Sequence, residues 1–342
     1  MRWAAALKIG IGSVLMALSG LQVVAPAWLF APPQERLFGL PPGPVVVLGL
    51  CSALFASGAI VAAEGICDAF GSTSLWDLVV RDPLLLLRLL ACGVVAGLVL
   101  EIVAQWLGRL WYYPWWTTWF YALVLVPGFA LYWLFIVESY LAAKAVLDAV
   151  ARRRTVRRSV RLWPVGAAAL AVFALLTIRW YAQRGFTFDV TGPTPAAPPF
   201  GYAVLAFTGV ALLSDALVTA AARLYWVPFA AVALAAAVVS VAFEVPNAVH
   251  WHWAYDHFPG PVLPGGLPLT MFLAWPMQYV VFLAVPSAIL PGLAALFWQP
   301  PADGRRNGAV GSAGLGSGGE LGDVDSEGPQ QAGVRRDIDG LG

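Results

Sequence analysis

The chain has 342 residues, 60% of them hydrophobic and only 11% charged, and a mean hydropathy of +0.76. Soluble globular proteins carry roughly 25% charged residues, so the composition excludes an ordinary soluble enzyme. It points instead to an all-α polytopic membrane protein whose apolar runs reach the ~20 residues needed to cross a bilayer. A net charge of +1 leaves no basic field for nucleic acid, and Cys51, Cys67 and Cys92 lack metal or disulfide spacing.

In chain order, apolar stretches bounded by charge, Pro or Gly predict eight transmembrane helices near 9–30, 44–63, 83–105, 119–143, 162–182, 200–222, 225–246 and 268–297. The first follows Arg2 and Lys8 but is long and has no small-residue cleavage site, so it reads as a span and not as a signal peptide. Arg152, Arg153, Arg154, Arg157, Arg158 and Arg161 crowd the loop between the fourth and fifth spans. Such a basic juxtamembrane group stays cytoplasmic, which with eight spans places both termini on the cytoplasmic side. From Pro300 onward the composition turns to Gly, Ser, Asp and Glu, too polar to bury a core. The expected organisation is a four-helix membrane half over 1–150, a basic loop over 151–161, a second four-helix half over 162–300, and a disordered cytoplasmic tail over 301–342.

The two halves share a sequence pattern. LEIVAQWLGRLWYYPWW near the end of span three resembles FEVPNAVHWHWAYDHFPG near the end of span seven, with Glu101 and Glu244 143 positions apart and a Tyr eleven residues after each, Tyr112 and Tyr255. Pro127 and Trp133 recur approximately as Pro268 and Trp275. A parallel duplication, with an axis along the membrane normal, explains both the matches and the shared direction of the spans, and such proteins place their site between the copies.

An ionisable side chain within a membrane helix costs about 2.5–3.5 kcal/mol to insert and normally faces the bundle interior. Glu101, Glu138, Asp215 and Glu244 are of this kind. Two carboxyl groups approaching from equivalent places suit acid–base chemistry on a lipid-soluble substrate, with Glu244 as leading proton donor, Glu101 as its partner, and Tyr255 and Tyr112 as hydrogen-bonding or cation-stabilising groups. Structural hydrogen bonding near the interface is the plainer alternative. Trp111, Trp133, Trp253 and Trp275 are candidates for an aromatic substrate pocket, although Trp and Tyr also anchor proteins at membrane interfaces and the two roles coexist. His250, His252 and His257 cluster beside Asp256. Flanking acids are few and the first copy has no His, so no metal is expected, and His252 and Asp256 stand as acid–base candidates. Glu64 and Asp68, at i,i+4 spacing, read as a solvated helix end. There is no phosphate-binding Gly-rich loop, no dinucleotide fingerprint and no nucleophile elbow, which disfavours an ATP-driven pump or a serine hydrolase.

A Glu in one helix, a W-x-Y or W-Y-Y about ten residues on, and a Pro leading into a Trp-bearing helix resemble the integral-membrane enzymes of bacterial carotenoid biosynthesis. These include the carotenoid hydratases and the duplicated membrane-type lycopene cyclases. GPVLPGGLPLTMFLAWPMQY, Gly260 to Tyr279, is similar to a stretch of the hydratases. On that likeness Glu244, Tyr255 and Trp275 match acidic and aromatic family positions, and Glu101, Tyr112 and Trp133 match the second copy. The cyclase motif Pro-x-Glu-Glu is absent, since Leu269, Thr270 and Met271 follow Pro268. FEVP and YDHFPG also resemble stretches of the membrane spirocyclases of polyketide pathways, with Glu244, Tyr255, Pro259 and Gly260 in matching places. Both resemblances imply a bacterial-type cell membrane and cofactor-free cyclisation, isomerisation, hydration or dehydration of an isoprenoid or polyketide. The expected partners are membrane lipid and a lipophilic small molecule, with no nucleic acid; protein partners are left open. The competing reading is a membrane carrier or an assembly partner for another complex.

Overall fold

A computed structural model describes residues 2–20, 43–150, 161–215, 217, 225–250 and 252–300, all within one compact unit, Met1–Ala302. Ten α-helices are described: α1 (Arg2–Ser19), α2 (Gly43–Ala69), α3 (Leu75–Arg81), α4 (Leu84–Leu100), α5 (Thr118–Val150), α6 (Trp163–Arg184), α7 (Phe200–Leu213), α8 (Val227–His250), α9 (Leu269–Ile289) and α10 (Pro291–Trp298). Helix α4 runs on as a π-helix over Glu101–Leu107, and two short strands, β1 (Trp111–Tyr112) and β2 (Ala254–Tyr255), follow the π segment and α8.

Six helical segments among the described residues are long and apolar enough to span a membrane: Gly49–Ala69, Leu84–Leu107, Thr118–Val150, Trp163–Arg184, Val227–Val249 and Leu269–Ile289. The apolar helices Trp3–Ser19 and Phe200–Leu213 are shorter, and most residues of the expected extensions, 21–30 and 214–222, lie outside the described part. The expected eighth span, 268–297, is broken in two. Leu290 leaves the helical conformation at φ −122, ψ 87, and α10 starts at Pro291, because a proline disfavours the helical conformation of the residue before it and cannot donate to the preceding turn. The arginines at 152–158 and the tail 301–342 also fall outside the described residues.

The helices are apolar around most of their circumference, with residues such as Leu87, Leu175, Val241 and Leu273 exposed, as expected of helices that face lipid on one side and protein on the other. Helix pairing is regular. Helix α1 packs on α2 and α6 on α7; α4 packs on α5 and α8 on α9; α2 meets α5 and α7 meets α9; α8 crosses to α5 and α9 crosses to α4. Two of these pairs rest on facing glycines. A methyl group added at Gly12 or Gly58 would strike the backbone oxygen of the other, and the same holds for Gly166 and Gly209. Glycine is therefore what lets the α1–α2 and α6–α7 backbones touch. Gly93 and Gly97 in α4 similarly leave room for Trp133 and Phe129 of α5.

Four acids serve the fold in ways that spacing along the chain does not show. Lys8 of α1 forms ion pairs with Glu64 (2.5 Å) and Asp68 (2.8 Å) of α2. That helix end is tied to its neighbour, a correction to the solvated end expected. Glu138, buried in α5, accepts the Leu75 backbone N–H at 2.9 Å, satisfying a free donor at the start of α3. The remaining first-turn need of α3 is met by a capping box between Ser74 and Asp77. Asp215, at φ 49, accepts the backbone N–H groups of Leu162 (2.6 Å) and Trp163 (3.0 Å), and so caps α6 from the far end of α7.

Candidate functional site

Strands β1 and β2 bring the two copies of the sequence pattern side by side. They pair antiparallel, with Trp111 opposite Tyr255 and Tyr112 opposite Ala254. Helices α4 and α8 must therefore end at the same end of the bundle. Backbone bonds extend the junction: Asp256 N–H donates to the Leu110 carbonyl and Tyr113 N–H to the Val190 carbonyl, both at 2.8 Å. Arg109, buried at φ 55, donates to the carbonyls of Asp189 (3.0 Å) and Thr187, which fastens the 187–194 loop across the strands.

Beneath this junction lies a cavity of about 220 Å³ lined by both Glu101 and Glu244 together with a largely aromatic wall. Both carboxyl groups are buried, at 1% exposure each. Glu101 accepts the phenol O–H groups of Tyr113 (2.6 Å) and Tyr121 (2.9 Å), and the Trp111 indole is also within hydrogen-bonding reach. Tyr121 in turn accepts the Trp106 indole N–H at 2.6 Å. Glu244 accepts the Tyr255 hydroxyl, the indole N–H groups of Trp253 and Trp275 (3.2 Å each) and the Asn247 amide (3.3 Å). Trp253 also donates to the Tyr255 oxygen at 3.0 Å. The Asn247 amide exchanges two further bonds with the Trp253 backbone, at 3.0 and 3.2 Å, fixing the loop to the end of α8. No Lys or Arg lines the cavity among the described residues, so each carboxyl group is held by neutral donors alone.

The two clusters correspond residue by residue, but with a slip. Glu244 is followed by Trp253 after nine residues and Tyr255 after eleven. Glu101 is followed by Trp111 after ten and Tyr113 after twelve. The extra residue is taken up in the π-helix that begins at Glu101, since an i→i+5 turn holds about one residue more than an α turn. The structure thus puts Tyr113, not Tyr112, on Glu101: Tyr112 is not among the cavity-lining residues. The α8 helix carries its own irregularity two residues beyond Glu244, where Pro246 removes a backbone donor.

Of the other candidates, Trp111, Trp253, Trp275, Tyr255 and His252 line the cavity. Trp133 is fully buried away from it and donates to the Phe282 carbonyl at 2.9 Å, a packing role between α5 and α9. Asp256 is also outside the cavity, accepting the backbone N–H groups of Thr194 (3.2 Å) and His257 (2.9 Å). His257 turns toward the Thr194 carbonyl at 2.8 Å, so His252 and His257 do not converge. Among the described residues no group of three His, Cys, Asp or Glu is placed to share an ion.

Around the two carboxyl groups, Tyr113, Tyr121 and Tyr132 of the cavity wall and Asn247, a donor to Glu244, escape the sequence reading. Aligning the W-x-Y of Trp111–Tyr113 with that of Trp253–Tyr255 finds the first, and the i,i+3 spacing of Glu244 and Asn247 on one helix face finds the last. Nothing in the sequence marks Tyr121 or Tyr132, which arrive from α5. Burial, and then the adjacent carboxylate, push the Tyr113 and Tyr255 phenols well above their ordinary range. Both stay protonated and act as donors. Tyr132, Phe243 and Trp253 form a near-parallel aromatic layer, with ring centroids 5.9 Å apart for Tyr132 and Phe243 and 5.1 Å for Phe243 and Trp253.

No protein-family model, curated protein or solved structure matches this chain.

Proposed function

We propose that this protein is a cofactor-independent membrane enzyme that performs acid–base cyclisation or isomerisation, or hydration or dehydration, on a lipophilic isoprenoid or polyketide. The observation that carries this reading is the pair of buried carboxyl groups, Glu101 and Glu244, in one aromatic cavity with no Lys or Arg among the described residues that line it. Eight spans in a bacterial-type cell membrane, with both termini cytoplasmic, remain part of the proposal. So does descent from a duplicated four-helix unit. The matched helix pairings, the facing glycines in α1–α2 and α6–α7, and the paired Glu–Trp–Tyr clusters support it.

The donor sets divide the labour between the acids. Beside Tyr255, Glu244 is held by N–H groups of Trp253, Trp275 and Asn247, which can only donate and so favour a carboxylate. Two of Glu101's three partners are phenol hydroxyls, which can turn to accept a hydrogen bond from a protonated carboxyl group as well as donate one to a carboxylate. Glu101 is therefore the better proton donor and Glu244 the better acceptor, the reverse of the order expected from sequence. Glu101 protonates a double-bond carbon or an oxygen of the substrate. The cation formed rests on the faces of Tyr132, Phe243 and Trp253 and on the Glu244 carboxylate. Glu244 then removes a proton from a neighbouring carbon, leaving a cyclised or isomerised alkene, or from a water that has added, leaving an alcohol. Dehydration is the second course in reverse. A proton returned from Glu244 to Glu101 resets the site.

The test is mass spectrometry of lipid-soluble metabolites from cells lacking the gene, complemented with wild type, Glu101→Gln or Glu244→Gln. The reading requires a precursor that accumulates without the gene, differs from the lost product by water or isomerisation alone, and stays accumulated with either variant. Full turnover by either variant, or an unchanged profile without the gene, overturns it.

A further inference from the structure

The cavity holds polar groups that the acid–base scheme leaves unused. His252 is 7% exposed, and neither ring nitrogen has a hydrogen-bond partner; the Trp116 indole N–H is buried without one as well. Both residues line the cavity, with ring centroids 5.3 Å apart. Burying polar atoms without partners is unfavourable, and such groups persist where something else completes them.

Their position is informative. Tyr113, which donates to Glu101, stacks on Trp116 at 4.5 Å; Trp116 meets His252 at 5.3 Å; and His252 meets Trp253, a donor to Glu244, at 5.6 Å. The unpartnered pair thus lies midway along a continuous aromatic chain between the two carboxyl groups. Burial alone holds the His252 imidazole down to about 4, so it is neutral and offers one donor and one acceptor. Together the two rings present two N–H donors and one acceptor. That set suits a neutral hydroxyl or carbonyl oxygen. With no Lys or Arg among the described residues of the cavity wall and two carboxyl groups present, an anionic head such as a carboxylate or diphosphate would be repelled and left uncompensated.

We propose that His252 and Trp116 bind the neutral oxygen function of the substrate, so that the enzyme takes an oxygen-bearing lipophile, not a pure hydrocarbon or a diphosphate ester. This deepens the acid–base reading and rests on it for the substrate's role, but its test reads binding alone. The full-length protein in lipid nanodiscs is titrated with farnesol, with the hydrocarbon farnesene and with farnesyl diphosphate, following quenching of tryptophan fluorescence. Wild type is compared with His252→Phe, His252→Gln and Trp116→Phe, each checked for an unchanged thermal unfolding profile.

Farnesol is expected to bind wild type about tenfold more tightly than farnesene, the scale of one well-made hydrogen bond, and farnesyl diphosphate more weakly than farnesol. The preference for farnesol over farnesene should vanish in His252→Phe, shrink in Trp116→Phe and be partly kept by His252→Gln. Equal binding of farnesol and farnesene by wild type, or an unchanged preference in His252→Phe, overturns the proposal; in either case the pair holds water or packs only. Those outcomes leave the acid–base reading intact, because it stands or falls on the Glu101 and Glu244 variants.

Discussion

Trp111 lies directly opposite Tyr255 across the two-residue ladder that joins the ends of α4 and α8. Each of these residues belongs to the cluster around a different buried carboxyl group, Trp111 to Glu101 and Tyr255 to Glu244. The strand pair is therefore the element that fixes the two acids into one cavity.

The one-residue slip makes a sharp prediction. Tyr113→Phe removes the 2.6 Å hydrogen bond to Glu101 and should lower turnover at least tenfold, whereas Tyr112→Phe should leave it near wild type. Product formation in membranes containing each variant decides. A Tyr112→Phe enzyme as impaired as Tyr113→Phe would mean that the π-helical register does not set the active geometry.

Replacing either acid by its amide keeps the shape of the site and abolishes proton exchange. Glu101→Gln and Glu244→Gln should each reduce turnover by about 10²–10⁴-fold, the usual contribution of a positioned acid or base. The double variant should be little worse than either single one, since the two act in a single proton cycle. Rate measurements on the purified protein with the accumulated precursor check both statements.

Facing glycines predict an asymmetric response to substitution along α1. Gly12→Ala would place a methyl group on the Gly58 carbonyl and should cost about 1–3 kcal/mol through overpacking. Gly10→Ala meets nothing within 4 Å and should be neutral or slightly stabilising, as expected in a helix interior. Gly166→Ala should behave like Gly12→Ala. Thermal unfolding in detergent separates the cases.

The cap on α6 should also be measurable. Asp215→Ala removes the acceptor for the Leu162 and Trp163 N–H groups and should cost about 1 kcal/mol. Asp215→Asn keeps an acceptor and tolerates the positive φ, so it should lose less.

His252 makes stability pH-dependent. Its folded value, depressed by burial to about 4 from 6.5, means that the unfolded chain takes up a proton first as the solution is acidified. The stabilisation is fully present above pH 6.5 and is lost between there and about pH 4, in total on the order of 3 kcal/mol. Denaturant unfolding between pH 7.5 and 4.5 should show this loss in wild type and a flatter profile in His252→Phe.

Much of the architecture is legible in the chain because the bilayer imposes it. Apolar runs of a fixed length have few folded forms in lipid, so six of the expected spans are present as long apolar helices. The acids were legible for the same reason: a carboxyl group in such a run must be satisfied by protein, and Glu101 and Glu244 stand out against their surroundings. Tertiary structure decided which intramembrane acids cap helices and which face a cavity. Glu138 and Asp215 look like Glu101 and Glu244 in sequence, but their oxygens meet backbone N–H groups of α3 and α6. It also decided the register of the site, because a π turn inserts a residue without any composition that announces it. Tyr113 therefore takes the place that counting assigned to Tyr112, and Tyr121 and Tyr132 enter from a helix whose approach depends on packing across the whole bundle.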